Sequence, residues 1–481
     1  MTNRAMFVTL VAGIFSAFLA CYGAEEKMRS WDYLDTLQTP QFREGHTLPP
    51  LTRWGYTGRI PLELRVALAR DWGYALEAGT VQKLAANMDD PDTVEARIVS
   101  LVENEPDRYK LSVVYNHPLN ALKDMVPEEA WTRNAKGELV EDKKIWSPEM
   151  PDEVLRKMGE KLTRPLRKVR NRVPVAMILS GGESGLGIVG HSRKYWEKDP
   201  RIVEAKGQRS WFDYISARKA HQELIVAKAM RLAAPDRRYY LYYATSGGTH
   251  RNRYGRWKKW AIGYRWFRGV SDIPNSSLYF RHYNSGWTGD NDLLTQALNA
   301  RGNEISFGNR LAYNWVCGGW VEGKLSDIDR YTGWLKCLYT SGMVGAVAGY
   351  FTVPPDGYNA RFTEAPHWLR QLIALGRVHA LFSHQEKFLR DGYLLPGPDR
   401  HTWSKDQPAY EFPTGDPDAR VLARKQRFRP EWLITAWAAG GEAREVTVTI
   451  PELGELNLQA RPEAAVYLGT MQEGEAVVKV Q

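Results

Sequence analysis

Cysteine is scarce in this chain: three in 481 residues, too few for a disulfide framework. Beyond the N-terminus no uninterrupted apolar run approaches the roughly 18 residues of a membrane span. There is no phosphate-cradling Gly-x-x-x-x-Gly-Lys loop and no two-His helical spacing of a zinc protease, so neither a metal nor another cofactor is expected. Internal repeats and low-complexity tracts are absent. An excess of acid is also missing, since the formal net charge is +9, which favours an anionic partner. With 43% hydrophobic and 25% charged residues, wholesale disorder is excluded. What is plentiful is aromatic area: 18 Trp, 24 Tyr and 14 Phe, enough for a core and for a groove that stacks flat ligands.

Residues 1–23 have the build of a secretory signal peptide. Arg4 gives a positive start, Met6 to Ala20 an apolar run, and Cys21-Tyr22-Gly23 a small-x-small end, too short to span a bilayer comfortably. Cleavage is expected after Gly23, with lipidation of Cys21 as the alternative. The remainder is expected to be secreted or periplasmic, retaining Cys317 and Cys337 as two small buried residues.

Eight short, largely apolar runs follow: Leu51–Tyr56, Trp72–Glu77, Leu111–Asn116, Val173–Ser180, Tyr239–Ala244, Ser276–Tyr283, Leu311–Val316 and Val344–Phe351. Helical patterns lie between most of them, at Pro61–Arg70, Glu153–Leu166, Trp211–Ala233, Asp290–Ala300 and Asp327–Tyr339. Apolar runs alternating with helices predict parallel strands covered on both faces, and eight such units predict a (β/α)8 TIM barrel over residues 24–385. From about residue 386 to 481 the pattern changes. A stretch rich in Pro, Gly and Asp precedes closely spaced runs at Glu431–Ala438, Glu445–Ile450, Gly454–Leu458 and Ala464–Leu468. These predict a small C-terminal antiparallel β-sandwich domain.

In such a barrel the chemistry lies at the C-terminal ends of the strands. Strand one offers Trp54 and Tyr56, strand two ends in Glu77, and strand three ends in Asn116 and His117. Strand four ends in Ser180-Gly181-Gly182-Glu183-Ser184-Gly185. Strand five leads to His250, Arg251, Arg253 and Trp257; strand six to His282, Asn284 and Trp287. Strand seven carries Trp315 and leads to Trp320 and Glu322. Carboxylates with aromatic platforms are what glycosidic cleavage needs: one carboxyl group protonates the leaving oxygen, and the other attacks or stabilises the cationic carbon. Glu183, set among glycines after an apolar strand, is the sharpest candidate. Glu322 is favoured as its partner over Glu304, which precedes strand seven. His117, His250 and His282 lack the Cys or tight spacing of zinc ligands, and are candidates for binding hydroxyl or sulfate groups.

This layout resembles the large clan of retaining glycoside hydrolases with (β/α)8 barrels, which includes β-galactosidases, agarases and related galactan hydrolases. The resemblance implies that Glu183, ending strand four, is the acid/base and that Glu322, ending strand seven, is the nucleophile. Asp329–Phe351 is similar to the seventh helix and eighth strand of the β-galactosidase branch, and the tail from Trp432 to Leu468 resembles its terminal β domain. Two positions depart from the clan pattern. Gly182 stands where an Asn normally binds the sugar 2-hydroxyl, leaving room for a substituent there. Tyr350 and Phe351 occupy the region where a Trp usually floors the site.

Arg251–Arg268 carries seven cations, no acid and six aromatic rings. Guanidinium forks suit sulfate or carboxylate, and rings stack on sugar faces. The same mixture would suit single-stranded nucleic acid, but an export signal makes that partner less accessible and no nucleic-acid motif accompanies the loop. The expected activity is therefore retaining hydrolysis of an anionic polysaccharide, with sulfated galactans such as carrageenan or porphyran foremost. The alternatives are a noncatalytic glycan-binding protein on a degenerate barrel and a polysaccharide lyase.

Overall fold

Strands buried on both faces need partners on both sides, and the apolar runs find them in one another. A computed structural model describes residues 28–54, 60–115, 120–140, 144–180, 189–237, 239–242, 264–275, 277–279, 310–319, 326–349, 357–397 and 410–481, with isolated positions between 294 and 308. Its first eight strands are β1 (Thr52–Trp54), β2 (Leu76–Thr80), β3 (Leu111–Tyr115), β4 (Val175–Ser180), β5 (Tyr239–Tyr242), β6 (Ser277–Tyr279), β7 (Ala312–Cys317) and β8 (Met343–Gly349). They form two four-stranded sheets, ordered β2-β3-β4-β5 and β1-β8-β7-β6, in which every pairing is parallel. A parallel bridge between Leu51 and Tyr74 joins the sheets at the start of β1 and β2. The combined order is thus β6-β7-β8-β1-β2-β3-β4-β5, and among the described residues no pairing joins β5 to β6.

One expectation about strand two is corrected. Glu77 does not end that strand; it is the second residue of β2, which runs on to Thr80. Ala78-Gly79-Thr80 reads as a turn because Gly79 has φ +80°, yet Thr80 closes the strand and also caps the helix that follows, accepting from Lys83 N.

Among the helices are α1 (Leu62–Asp71), α2 (Val81–Asn87), α3 (Val94–Asn104), α4 (Asp152–Arg170), α5 (Trp211–Ala233), α6 (Ile328–Thr340), α7 (His367–His384) and α8 (Glu386–Asp391), with others elsewhere. Local chemistry fixes several starts. The side chains of Thr93, Ser210 and Asp327 accept backbone N–H groups at the first turns of α3, α5 and α6, which would otherwise be unpaired. In α4 the buried residues Leu155, Met158, Leu162, Leu166 and Val169 make one apolar stripe. Tyr115 Oη donates to Leu162 O at 3.1 Å, so Tyr115 faces the helices, and alternation turns Ser112 and Val114 to the opposite face.

The C-terminal strands are β9 (Gly392–Leu394), β10 (Ala419–Gln426), β11 (Glu431–Ala438), β12 (Arg444–Ile450), β13 (Gly454–Ala460), β14 (Ala465–Gln472) and β15 (Glu475–Val480). They make a five-stranded sheet, β15-β14-β11-β10-β9, and a two-stranded sheet, β12-β13, all antiparallel. Val421, Ile434, Val446, Val448 and Leu458 share the core between them.

Helix α6 couples this domain to the parallel sheets. Arg330 Nε donates to Ala439 O at 2.9 Å, Lys336 Nζ to Ala464 O at 2.7 Å, and the hydroxyls of Thr340 and Thr435 lie 2.6 Å apart. Those three positions share one face of α6, and Gly333 lies between them. A Cβ on Gly333 would sit 2.3 Å from both Pro462 O and the Trp437 ring. Arg424 of β10 is fully buried and donates to Thr340 O (3.2 Å), Phe388 O (3.0 Å) and Gly392 O (3.0 Å). It thereby adds side-chain donors to carbonyls at the C-terminal ends of α6 and α8. Burial, reinforced by nearby Arg301, pulls its pKa down to about 9. Cys317 and Cys337 are buried and unbridged, and burial pushes the Cys337 thiol up.

Two predictions follow from this packing. Gly333→Ala should cost about 1–3 kcal/mol through overpacking, read as a lower urea midpoint with an unchanged slope. The second concerns His379 of α7, whose Nδ1 lies 2.7 Å from Tyr339 Oη. Burial, with His46 close by, lowers its pKa to about 3, whereas an unfolded histidine titrates near about 6.5. Between those values the unfolded chain takes up a proton that the folded chain refuses, so stability should fall as pH drops through that window. His379→Gln should flatten the acid limb of a plot of urea midpoint against pH, even if the variant is less stable throughout.

Candidate active site

The seam between β1 and β2 carries the most charged chemistry that is described at the strand ends. Past the Leu51–Tyr74 bridge, the backbone N–H of Arg53 donates to Glu77 Oε1 at 2.6 Å instead of to a strand partner. The Arg53 guanidinium adds Nε to Oε1 at 3.2 Å and Nη2 to Oε2 at 2.9 Å. Both residues are buried, with Glu77 1% exposed. Glu77 pairs in register with Ser112, so it stands on the face turned away from the helices. Arg65 of α1 donates Nη1 to Glu77 O at 2.9 Å, and its Nε and Nη2 both reach Ile60 O. Burial, followed by the neighbouring Arg53, holds Arg65 below the ordinary arginine range.

These contacts anchor both flanks of the segment that follows β1. Tyr56 and the side chain of Trp54 lie outside the described residues, but Arg53 and Ile60 stand on either side of the segment. A comparable closure follows β7. Ser326 N and Oγ both donate to Gly318 O at 2.9 Å, and Gly318 N donates to Gln371 Oε1 of α7 at 2.8 Å. A Cβ on Gly318 would stand 2.9 Å from Gln371 Cδ, so glycine permits this approach. His367, at the start of α7, is held below its ordinary value by burial, opposed by a hydrogen bond with the Gly318 backbone. Trp320 and Glu322 belong to the segment closed by this pair and are themselves outside the described residues.

Of the other candidates, Glu183, Asn116, His117, His250, Arg251, Arg253, Trp257, His282, Asn284 and Trp287 lie outside the described residues, as does the alternative Glu304. Trp315 is described: on β7 it is 3% exposed and belongs to the main core, the bland alternative to a sugar platform. Glu77 is brought to Arg53 and is buried with it. At the far end of the basic aromatic segment, Phe267 is buried and Trp266 packs edge-on against Phe212 of α5, with ring centroids 6.1 Å apart. Those two rings anchor the segment rather than extend it. Arg53, Arg65, Ser326 and Gln371 were not legible as site residues. The one available signal was Arg53 standing inside an apolar run. Among the described residues no group of three His, Cys, Asp or Glu could hold a metal ion, and no helix is long and apolar enough to cross a membrane.

The Arg53–Glu77 pair generates a prediction. Glu77→Gln leaves a buried guanidinium without its counter-charge and should cost about 3–5 kcal/mol, measured by urea unfolding. Combining it with Arg53→Met should recover part of that loss, and a double variant no better than the single one would exclude the pairing as the cause.

No family model matches the chain, and no curated protein does. Solved structures with a similar course include a GH36 α-galactosidase from Geobacillus stearothermophilus, at 10% identity and TM-score 0.44 over 94% of this chain and 58% of that one. A maltogenic α-amylase from Thermotoga neapolitana gives 12% identity and TM-score 0.41 over 80% and 81%. A GH30 endoxylanase from Clostridium papyrosolvens gives 9% and 0.37 over 90% and 100%. Likeness at this level fixes neither activity nor substrate.

Proposed function

We propose that the eight parallel strands close into a (β/α)8 barrel and that the chain is a secreted glycoside hydrolase. It would cut an anionic polysaccharide, foremost a sulfated galactan, with retention of configuration. The observation that carries this reading is directional. β4 and β7 belong to one set of strands with a common direction, so the segments bearing Glu183 and Glu322 both leave from C-terminal strand ends, where such barrels keep their chemistry. In this reading Glu183 is the acid/base and Glu322 the nucleophile, with carboxyl groups ~5–5.5 Å apart. Protonation of the leaving oxygen requires Glu183 to stay neutral until attack, which a neighbouring carboxylate or burial favours by disfavouring its charged form. The Gly318–Ser326 contact and the Arg53–Glu77 pair lie at the C-terminal ends of β7 and β1, next to the segments that carry Glu322 and Tyr56 in the sequence. The sulfated substrate is supported by the +9 charge and by the cations of Arg251–Arg268, whose guanidinium groups pair well with sulfate.

The test is release of reducing ends from carrageenan, porphyran, agarose and a neutral plant galactan by the purified protein and by Glu183→Gln. Activity is expected on a sulfated galactan, with a loss of about 10²–10⁴-fold in the variant and substrate binding retained. A fully active Glu183→Gln, or a wild type inert on every polysaccharide, would overturn the reading.

A further inference from the structure

Helix α4 lies on the outer layer and carries a cationic stripe unrelated to the strand ends. Between Val154 and Arg170 there are seven Lys or Arg residues and one acid, Glu160. Lys157, Lys161, Arg164 and Lys168 are spaced four, three and four residues apart, so at 3.6 residues per turn they fall in one row. This row stands opposite the apolar stripe and faces away from the strands. All four are exposed. Lys161 and Arg164 make no ion pair among the described residues, nor does the exposed Arg167 one helical turn along. Lys157 is 3.6 Å from a Glu153 carboxylate that Arg156 also binds, at 2.7 Å. Lys168 is paired with Asp89 at 2.8 Å. On the adjoining α5, exposed Lys228 likewise makes no ion pair among the described residues, and Ala229 beside it lies where a Cβ on Gly159 of α4 would come within 3.1 Å of its own.

Folding alone does not account for the row. Cations in the last turn, such as Lys168 and Arg170, complement the helix dipole, but Lys157, Lys161 and Arg164 lie outside that turn and gain nothing from it. Like charges three and four residues apart weaken a helix. That repulsion is relieved when a linear anion lies along the row and replaces the small counterions.

We propose that the exposed face of α4 is a second binding surface for a linear sulfated polysaccharide, remote from the strand ends, with Lys161 and Arg164 at its centre. The choice of a glycan over other polyanions rests on the function proposed above; the presence of a polyanion surface does not. Bound there, a polysaccharide is held on the protein while another stretch of chain reaches the strand ends, and the gain is one of effective concentration.

The test uses affinity electrophoresis of the intact protein in gels containing dextran sulfate or uncharged dextran, together with the double variant Lys161→Glu/Arg164→Glu. Dextran sulfate should retard the wild type and dextran should not. The double variant should bind dextran sulfate about tenfold more weakly, with a salt dependence shallower by about two counterions. Lys161→Gln/Arg164→Gln should fall between the two. Glu183→Gln should bind like the wild type, which separates this surface from the catalytic reading: a wild type that hydrolyses nothing but is retarded through Lys161 and Arg164 refutes only the latter. Unchanged affinity in both double variants would overturn the surface. Tighter binding to duplex DNA or to phosphatidylglycerol vesicles than to dextran sulfate, lost in the same variants, would overturn the glycan assignment.

Discussion

The eight-strand order depends on how β1 meets β2. Among the described residues one backbone bridge joins the two four-stranded parallel sheets, and immediately above it the ladder gives way to side-chain chemistry. Glu77 accepts the Arg53 N–H that a neighbouring strand would otherwise take, and the Arg53 fork closes on the same carboxylate. A buried ion pair is a poor source of stability, because desolvating two charges offsets most of their attraction. Its use here is positional. A carboxylate that must satisfy one backbone donor and one guanidinium at once tolerates no slip of β2 against β1, and a slip of one residue would turn Glu77 toward the helices. Arg65 extends the constraint outward by tying the Glu77 carbonyl and Ile60 to α1.

Tyr313 braces the other side of β1. Its hydroxyl donates to Pro50 O at 2.6 Å and lies 3.3 Å from Thr52 Oγ1, so a β7 side chain reaches β1 across the intervening β8. It crosses at Gly345, where a Cβ would stand 2.5 Å from the Tyr313 ring. The glycine is needed for that close approach and not for an unusual backbone angle. β1, only three residues long, is thus held by Glu77 on one side and by Tyr313 on the other.

Most strands were legible because burial on both faces writes a nearly continuous apolar run. The runs VPVAMILS and LSVVYN contain β4 and β3 almost to the residue. Helix α5 was legible over its full length, and α4 was read to Leu166 but runs on to Arg170 through Pro165. β10 was not legible. Its sequence, ARVLARKQ, carries three cations in eight residues, yet it is an interior strand of its sheet, between β11 and β9. Arg420 is buried against Glu411, and Arg424 is spent on helix-end carbonyls. Buried arginines break the alternation by which a strand is recognised, because their partners lie far off in sequence. The same reason hid Arg53. At the site, single residues such as Glu183 could be singled out by their place after a strand, but the groups that close and brace the loops, Ser326 and Gln371, belong to neighbouring elements and carry no local mark.

The C-terminal domain bears on the site through α6. One face of this helix packs against the parallel strands with Tyr331, Leu335 and Leu338, while Arg330, Gly333, Lys336 and Thr340 meet the β domain. The main hydrophobic cluster is continuous across that contact, running from Leu338 to Leu433, Trp437 and Val466. Asp327 caps α6 directly after Ser326, the residue that closes the Glu322 segment onto Gly318. A helix pinned along one whole side by a second domain cannot shift its first turn freely, so the β domain sets the footing of that closure. Removing the domain would therefore be felt at the end of β7 as well as in the stability of the fold.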